Sequence, residues 1–161
     1  MALTKINNNT LSAVTTLPAA IATGKVLQVV STVKSDVFST TSTSFTDVTG
    51  LSVAITPSAT SSKILILIDF KGTLGILSSV TAYMKLLRGS SDIYNLGEVG
   101  GSTNNFMAYS GGIYLDSPSS TSAVTYKVQL RGDGQTVGCN RNQSSTQDRS
   151  DSSITVMEIL A

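Results

Sequence analysis

The residues of this chain that can do acid–base or nucleophilic chemistry are few, and no pattern in the sequence brings them together. The chain has no His, so Ser, Thr and Cys nucleophiles lack their usual general base, and zinc lacks its commonest nitrogen ligand. Two carboxylates can in principle meet as a glycosidase pair, but nothing in their spacing selects two. The ten carboxylates are Asp36, Asp47, Asp69, Asp92, Glu98, Asp116, Asp133, Asp148, Asp151 and Glu158. We therefore predict that the chain is not an enzyme and has no catalytic, cofactor-binding or metal-binding residues.

The chain contains one cysteine, Cys139, so it cannot form a disulfide within one subunit. Small secreted domains more often carry cysteines in pairs, and we expect this chain to fold in a reducing cytoplasm. Cys139 itself is expected to be a partly buried small residue, with a reactive thiol as the alternative.

Two glycine-containing motifs resemble binding motifs. Arg131, Gly132 and Asp133 spell an adhesion tripeptide, but they also follow a strand-like segment, where a hairpin turn favours Gly and Asp. We expect the turn. Gly111 and Gly112 are expected to form a bulge or bend rather than a ligand cradle.

The charge distribution argues against two classes of partner. Net charge is +1, from 11 basic and 10 acidic residues spread along the chain. No basic stripe is available to neutralise a run of phosphates, so we predict no nucleic-acid partner. No apolar stretch approaches the ~20 residues that a membrane-spanning helix needs, so we predict no membrane partner.

The composition favours β-structure. The chain has 25 Ser and 21 Thr, and only 13% of its residues are charged. Thr suits a half-buried strand surface and Ser suits turns, whereas a solvated helix favours Glu, Lys, Gln and Ala.

Strand-like segments follow one another about every ten residues from Gly24 onward. An unbroken apolar run at residues 64–68 is typical of a strand covered on both faces, while residues 83–87 leave a helical turn as an alternative.

These segments predict an all-β fold, an antiparallel β-sandwich of jelly-roll type, over residues 25–161. Alternation along the strands indicates which side chains form the core. The predicted core includes Val53, Ile55, Ile64, Ile66, Ile68, Val124, Tyr126, Val128, Ile154 and Val156.

Residues 1–24 differ from the rest of the chain. They are rich in Asn, Thr and Ala and show no steady hydrophobic period, so a disordered tail is one interpretation. They also carry many apolar residues for a solvated tail: Leu3, Ile6, Leu11, Val14, Leu17 and Ile21. We therefore predict an extended N-terminal arm that tethers the sandwich to other proteins.

Several stretches resemble a family of short virion proteins from bacteriophages of marine and freshwater bacteria. They are residues 24–30 (GKVLQVV), 38–53 (FSTTSTSFTDVTGLSV), 55–57 (ITP) and 61–65 (SSKIL), followed by 115–118 (LDSP), 125–128 (TYKV) and 153–158 (SITVME). The start at residues 4–9 (TKINNN) and the segment 17–20 (LPAA) are also similar. The resemblance implies a virion structural protein, made in the host bacterial cytoplasm, that serves as a surface fibre-head or capsid-decoration subunit.

The alternative function is a host-glycan-binding module at the tip of a fibre. Aromatic side chains are the usual platforms for sugar rings, and the chain offers few of them and no Trp. The candidates are Tyr83, Tyr94, Phe106, Tyr109 and Tyr114.

The expected oligomer is a homotrimer, on two grounds. The resemblance is to fibre and decoration proteins, which commonly trimerise about an axis normal to the virion surface. The sequence adds an apolar patch near Gly72 and Gly75 that a single small sandwich is expected to bury incompletely, with burial on the inner face of one sheet as the alternative. The patch residues are Leu74, Ile76, Leu77 and Val80.

Overall fold

The described residues form strands connected by turns and loops. The computed structural model describes residues 25–73, 80–101, 107–141 and 150–160, and within these ranges it contains ten strands and no helix. The strands are β1 (Val26–Lys34), β2 (Phe38–Thr40), β3 (Thr46–Ile55), β4 (Lys63–Thr73), β5 (Val80–Arg88), β6 (Ser91–Gly101), β7 (Met107–Asp116), β8 (Val124–Arg131), β9 (Val137–Cys139) and β10 (Ser152–Ile159). The all-β prediction is confirmed. The helical alternative for residues 83–87 is wrong, because β5 is continuous.

Two antiparallel sheets pack face to face. The first sheet contains β1, β10, β4 and β7 in that order. The short strands β9 and β2 extend it at one end, where β9 continues the line of β10 along β4. The second sheet has the order β3-β8-β5-β6. The predicted antiparallel β-sandwich is therefore confirmed, whereas the predicted arm at residues 1–24 lies outside the described residues.

The core lies between the two sheets and consists of the inward-facing residues of each strand. Nine of the ten predicted core residues are buried, and Val124 is partly buried at the edge of the core. Leu51, Phe70, Met84 and Leu86 also belong to it. Fully burying an aliphatic or aromatic side chain of this size stabilises the fold by about 1.5–3 kcal/mol relative to leaving it exposed.

Candidate functional site

The outer face of the first sheet exposes many apolar side chains, interrupted near its centre by the hydrogen-bonded pair Ser31 and Thr155. Cross-strand partners form rows across β1, β10, β4 and β7, and every second residue of each strand points away from the core. Ile113 is 68% exposed, Val33 62% and Val29 55%. We call this surface the apolar face, and it consists of Val29, Val33, Leu65, Leu67, Ile113, Leu115, Met157 and Ile159. The described part of the subunit leaves it open to solvent.

Strand β4 explains part of this surface. Ile64, Ile66 and Ile68 are buried in the core, whereas Leu65 and Leu67 are only half-buried on the apolar face. The expectation that this apolar run is covered on both faces is therefore wrong for the described subunit. The core covers one face of the strand, whereas the other face is partly exposed to solvent.

A shallow depression of about 490 Å³ lies on the apolar face beside Leu67, Ile113 and Thr155. It forms where Gly111 contributes no side chain. The bulge or bend predicted for Gly111 and Gly112 is wrong, because β7 pairs with β4 in unbroken register.

Close approach of the neighbouring backbone explains Gly111. A Cβ on Gly111 would lie 2.8 Å from the carbonyl oxygen of Ile68. A Cβ on Gly112 would meet Cδ2 of Leu96, the end of a flexible side chain that can shift. Gly111 thus lets β7 approach β4 closely, and the depression is a consequence.

The outer face of the second sheet is polar. Asp47 accepts hydrogen bonds from Nζ of Lys127 and Nε2 of Gln129, each at 2.7 Å. Those two donors, Lys127 first, hold the pKa of Asp47 below its usual value. Lys85 pairs with Asp92 at 2.8 Å. Such cross-strand pairs suit a surface that stays in water.

The adhesion tripeptide is held by contacts within the subunit. The guanidinium of Arg131 lies 3.7 Å from the ring centroid of Tyr83. Gly132 donates its N–H to the carbonyl of Ser42 at 2.9 Å, and Asp133 accepts from the N–H of Thr81 at 3.0 Å. The segment bends as expected, but the predicted hairpin is wrong, because β8 and β9 belong to different sheets.

The aromatic candidates for glycan binding do not form one platform. Tyr94 and Tyr114 stack with their ring centroids 5.0 Å apart, where β6 and β7 meet, and Tyr94 is 38% exposed. Tyr83 lies elsewhere, on the polar outer face beneath Arg131. Phe106 and the side chain of Tyr109 lie outside what the structure describes.

The patch predicted to contact other subunits is only partly described. Val80 is 1% exposed and belongs to the core, and Gly72 is also buried. The prediction is therefore wrong for Val80. The other members of the patch and its second glycine lie outside the described residues: Leu74, Gly75, Ile76 and Leu77.

Cys139 is fully buried, not partly buried as expected. Its sulfur lies 3.3 Å from Oγ of Ser152. Burial raises the pKa of the Cys139 thiol to about 11. A buried thiol that stays protonated disfavours the reactive alternative.

Glu158 on β10 is a buried carboxylate that spans the end of the sandwich. It accepts hydrogen bonds from Nε2 of Gln28 at 2.6 Å and from both N–H and Oγ of Ser58 at 2.7 Å. Burial acts to raise its pKa, but the bonds from Ser58 and Gln28 outweigh burial and lower the pKa from 4.5 to about 2. The ionised form is thus part of the folded structure.

Acid should therefore weaken the fold through Glu158. Because the folded pKa lies below the unfolded value, this contribution is present above pH 4.5 and is lost as pH falls toward about 2; it amounts to at most about 3 kcal/mol. Urea unfolding of Glu158→Gln at neutral pH should show lower stability than the parent chain, and the difference should shrink at about pH 2.5. Glu98→Gln, at an exposed position of β6, is the control. A difference that does not change with pH would contradict this role for the carboxylate.

Within the described ranges, no three acidic or cysteine side chains lie close enough together to hold a metal ion. The same ranges contain no helix long and apolar enough to cross a membrane.

The comparisons with known proteins find little. No family model and no curated protein matches the chain. Among solved structures, Eiger TNF from S. frugiperda is similar with a TM-score of 0.37 and 7% identity, over 83% of this chain and 93% of that one. The VP2 subviral particle of infectious bursal disease virus is similar with a TM-score of 0.33 and 11% identity, over 83% of this chain and 38% of that one. These likenesses are too weak to bear on function.

Proposed function

We propose that this chain is a bacteriophage virion structural protein, a surface fibre-head or capsid-decoration subunit. The observation that carries the proposal is the contrast between the two outer faces. One face is crossed by charged and hydrogen-bonded pairs, whereas the other exposes several large hydrophobic side chains, Val29, Val33, Ile113 and Leu115 among them. A module that binds a partner protein through one face and exposes the other face to water is suited to assembly rather than to catalysis. The proposal therefore includes no enzymatic activity.

The phage assignment and the virion location rest on the resemblance of residues 24–30, 38–53, 55–57 and 61–65, and of the later stretches, to short virion proteins. The proposed site of synthesis is the host bacterial cytoplasm, which suits a chain with one buried cysteine.

The jelly-roll description belongs to this proposal. The two four-stranded arrays have the orders β1-β10-β4-β7 and β3-β8-β5-β6. Consecutive strands change sheets from β3 to β5 and again from β6 to β9. This alternation is the connectivity expected when Greek-key units fold over into a jelly roll.

The proposed partners are two further copies of the chain, in a homotrimer, and other virion proteins bound through residues 1–24. Nucleic acid and membrane are not among them. Closed symmetry is the usual arrangement of soluble homo-oligomers. A trimer would present three copies of residues 1–24, and binding through several such segments is stronger than binding through one.

Deleting residues 1–24 should abolish incorporation into particles and leave the sandwich folded. Circular dichroism of the truncated protein checks the fold, and immunoblots of purified particles check incorporation against the full-length chain. Normal incorporation of the truncated protein would contradict the tether.

Electron microscopy of particles labelled with antibody tests the function itself. Signal distributed over the capsid is expected for a decoration subunit, and signal at the tail is expected for a fibre. Virions without signal would overturn the proposal.

The second candidate is a host-glycan-binding module, which the Tyr94–Tyr114 stack favours because Tyr94 is partly exposed. Aromatic rings of this kind bind the apolar faces of sugars. Glycan-array binding that is lost in Tyr94→Ala would support this function. No binding by the parent chain would remove it.

A further inference from the structure

We infer that the apolar face is the surface through which copies of this chain bind one another. The inference rests on the proposed function as an oligomeric virion subunit, and it names the surface and its occupant. Four observations carry it: the pattern of β4, the size of the face, its charge and its relief.

The first observation is the apolar run of β4. A run of five apolar residues, such as residues 64–68 of β4, is typical of a strand covered on both faces. The subunit buries Ile64, Ile66 and Ile68 but leaves Leu65 and Leu67 half-exposed. The cover missing on the outer side must come from outside the described subunit.

The second observation is size. Four strands span about 19 Å, and the four residue rows from Ile159 to Ser153 span about 20 Å, so this part of the sheet covers roughly 400 Å², which its apolar side chains share with polar ones such as Ser31, Ser153 and Thr155. The whole area is about half of the ~800 Å² that each partner contributes to a stable interface. Exposed Val26, Leu27 and Leu160 adjoin the face where β1 begins and β10 ends, and they extend it toward the required area.

The third observation is charge. The net charge of +1 gives copies of the chain little reason to repel one another. Among the described residues, the charged groups of the face lie at its ends, where Asp69 pairs with Lys71 and Lys63 donates to Ser117 at 3.0 Å. Nearer the centre the Ser31 and Thr155 hydroxyls share a 2.8 Å hydrogen bond, and a centre depleted of charge is typical of a protein interface.

The fourth observation is relief. Ile113 protrudes from β7, and the depression beside Gly111 lies two residues earlier on the same strand. The face therefore carries a projecting apolar side chain beside a hollow that Leu67 and Ile113 line together with the polar Asp69, Ser153 and Thr155. A second copy brings the same projection and the same hollow, so that an interface between identical chains can pair one with the other.

Ile113→Lys tests the inference, with Thr125→Lys as the matched control at an exposed strand position on the polar outer face. Light scattering should give Ile113→Lys a mass near the 16.7 kDa of one chain. The parent chain and Thr125→Lys should keep the same, several-fold larger mass. An unchanged mass for Ile113→Lys, or equal loss in both variants, would overturn the inference.

Thiol labelling keeps the test decisive if the lysine variant fails to fold. Cys139 is buried and its thiol pKa is raised, so a single introduced cysteine reports on its own position. Ile113→Cys in the oligomer should react at least about tenfold more slowly than Thr125→Cys, because only a buried thiol is shielded from the reagent. Equal rates would overturn the inference.

Another candidate for covering the face is the chain's own segment 1–24. A truncated protein that keeps the oligomer mass supports contact between copies, whereas a truncated protein that becomes monomeric assigns the face to that segment.

Antibody labelling of particles separates this inference from the proposed function. If virions are labelled but the mass of Ile113→Lys is unchanged, the proposed function stands and this interface is wrong. If Ile113→Lys is monomeric but virions are unlabelled, the interface stands and the proposed function is wrong.

Discussion

Asp116→Ala is expected to lower the free energy of unfolding by about 3 kcal/mol, because it removes a buried carboxylate from Arg88, whose side chain is 32% exposed, and from the buried hydroxyl of Tyr126. Asp116 is 5% exposed and accepts two hydrogen bonds from Nη1 of Arg88, at 3.0 Å each. It also accepts a 2.7 Å bond from the buried hydroxyl of Tyr126. Burial, with Asp116 beside it, raises the pKa of the Tyr126 phenol well above its usual value. Removing the carboxylate leaves a cation and a hydroxyl without this partner.

Asp92→Ala is the control for Asp116→Ala. Asp92 pairs with Lys85 at 2.8 Å, but its side chain is largely exposed, so its loss should cost less than about 1 kcal/mol. Urea unfolding at one fixed protein concentration measures both variants, because the proposed association would make the midpoint depend on concentration. Equal costs for the two substitutions would contradict the structural role of the Asp116 cluster.

Asn140→Ala is expected to destabilise the fold by about 3 kcal/mol, through unpaired buried groups and a strained backbone. Asn140 is fully buried at a φ of 58°, between β9 and β10. Its Nδ2 donates to the carbonyls of Lys34 at 2.6 Å and Asp36 at 3.1 Å. Its Oδ1 accepts from Oγ of Ser152 at 2.6 Å. These bonds tie the turn between β1 and β2 to the line of β9 and β10.

Asn140→Gly separates the two causes, because glycine adopts a positive φ without strain. Thermal and urea unfolding should place Asn140→Gly between the parent chain and Asn140→Ala, about 1–2 kcal/mol above the alanine variant. If Asn140→Gly is as stable as the parent chain, the side-chain hydrogen bonds contribute nothing and the account of this junction is wrong.

The fold class and most of the core are readable from the sequence, because alternation along one strand depends only on that strand. The buried faces of β4, β8 and β10 follow directly from residues such as Ile66, Val128 and Val156. Which strands become neighbours depends on long-range pairing, which no local pattern encodes. The hairpin expected after Arg131 is wrong for this reason, since the chain crosses to the other sheet there.

The apolar face illustrates the same limit for the candidate site. Val29, Leu65, Leu115 and Met157 form one row across four strands, although the sequence separates them widely. The apolar run of β4 is the one local signal of this surface, and it predicted cover on both faces without identifying what supplies the outer cover. Gly111 gives no such signal either, because a close approach to Ile68 depends on the pairing of β7 with β4.

Light scattering on the full-length chain at micromolar concentration tests most directly the claim that this is an assembly module held by its apolar face. A homotrimer should have a mass three times the 16.7 kDa of one subunit. A mass of twice that subunit value would contradict the three-fold symmetry and leave association through the face in place. A mass of 16.7 kDa would contradict the central claim.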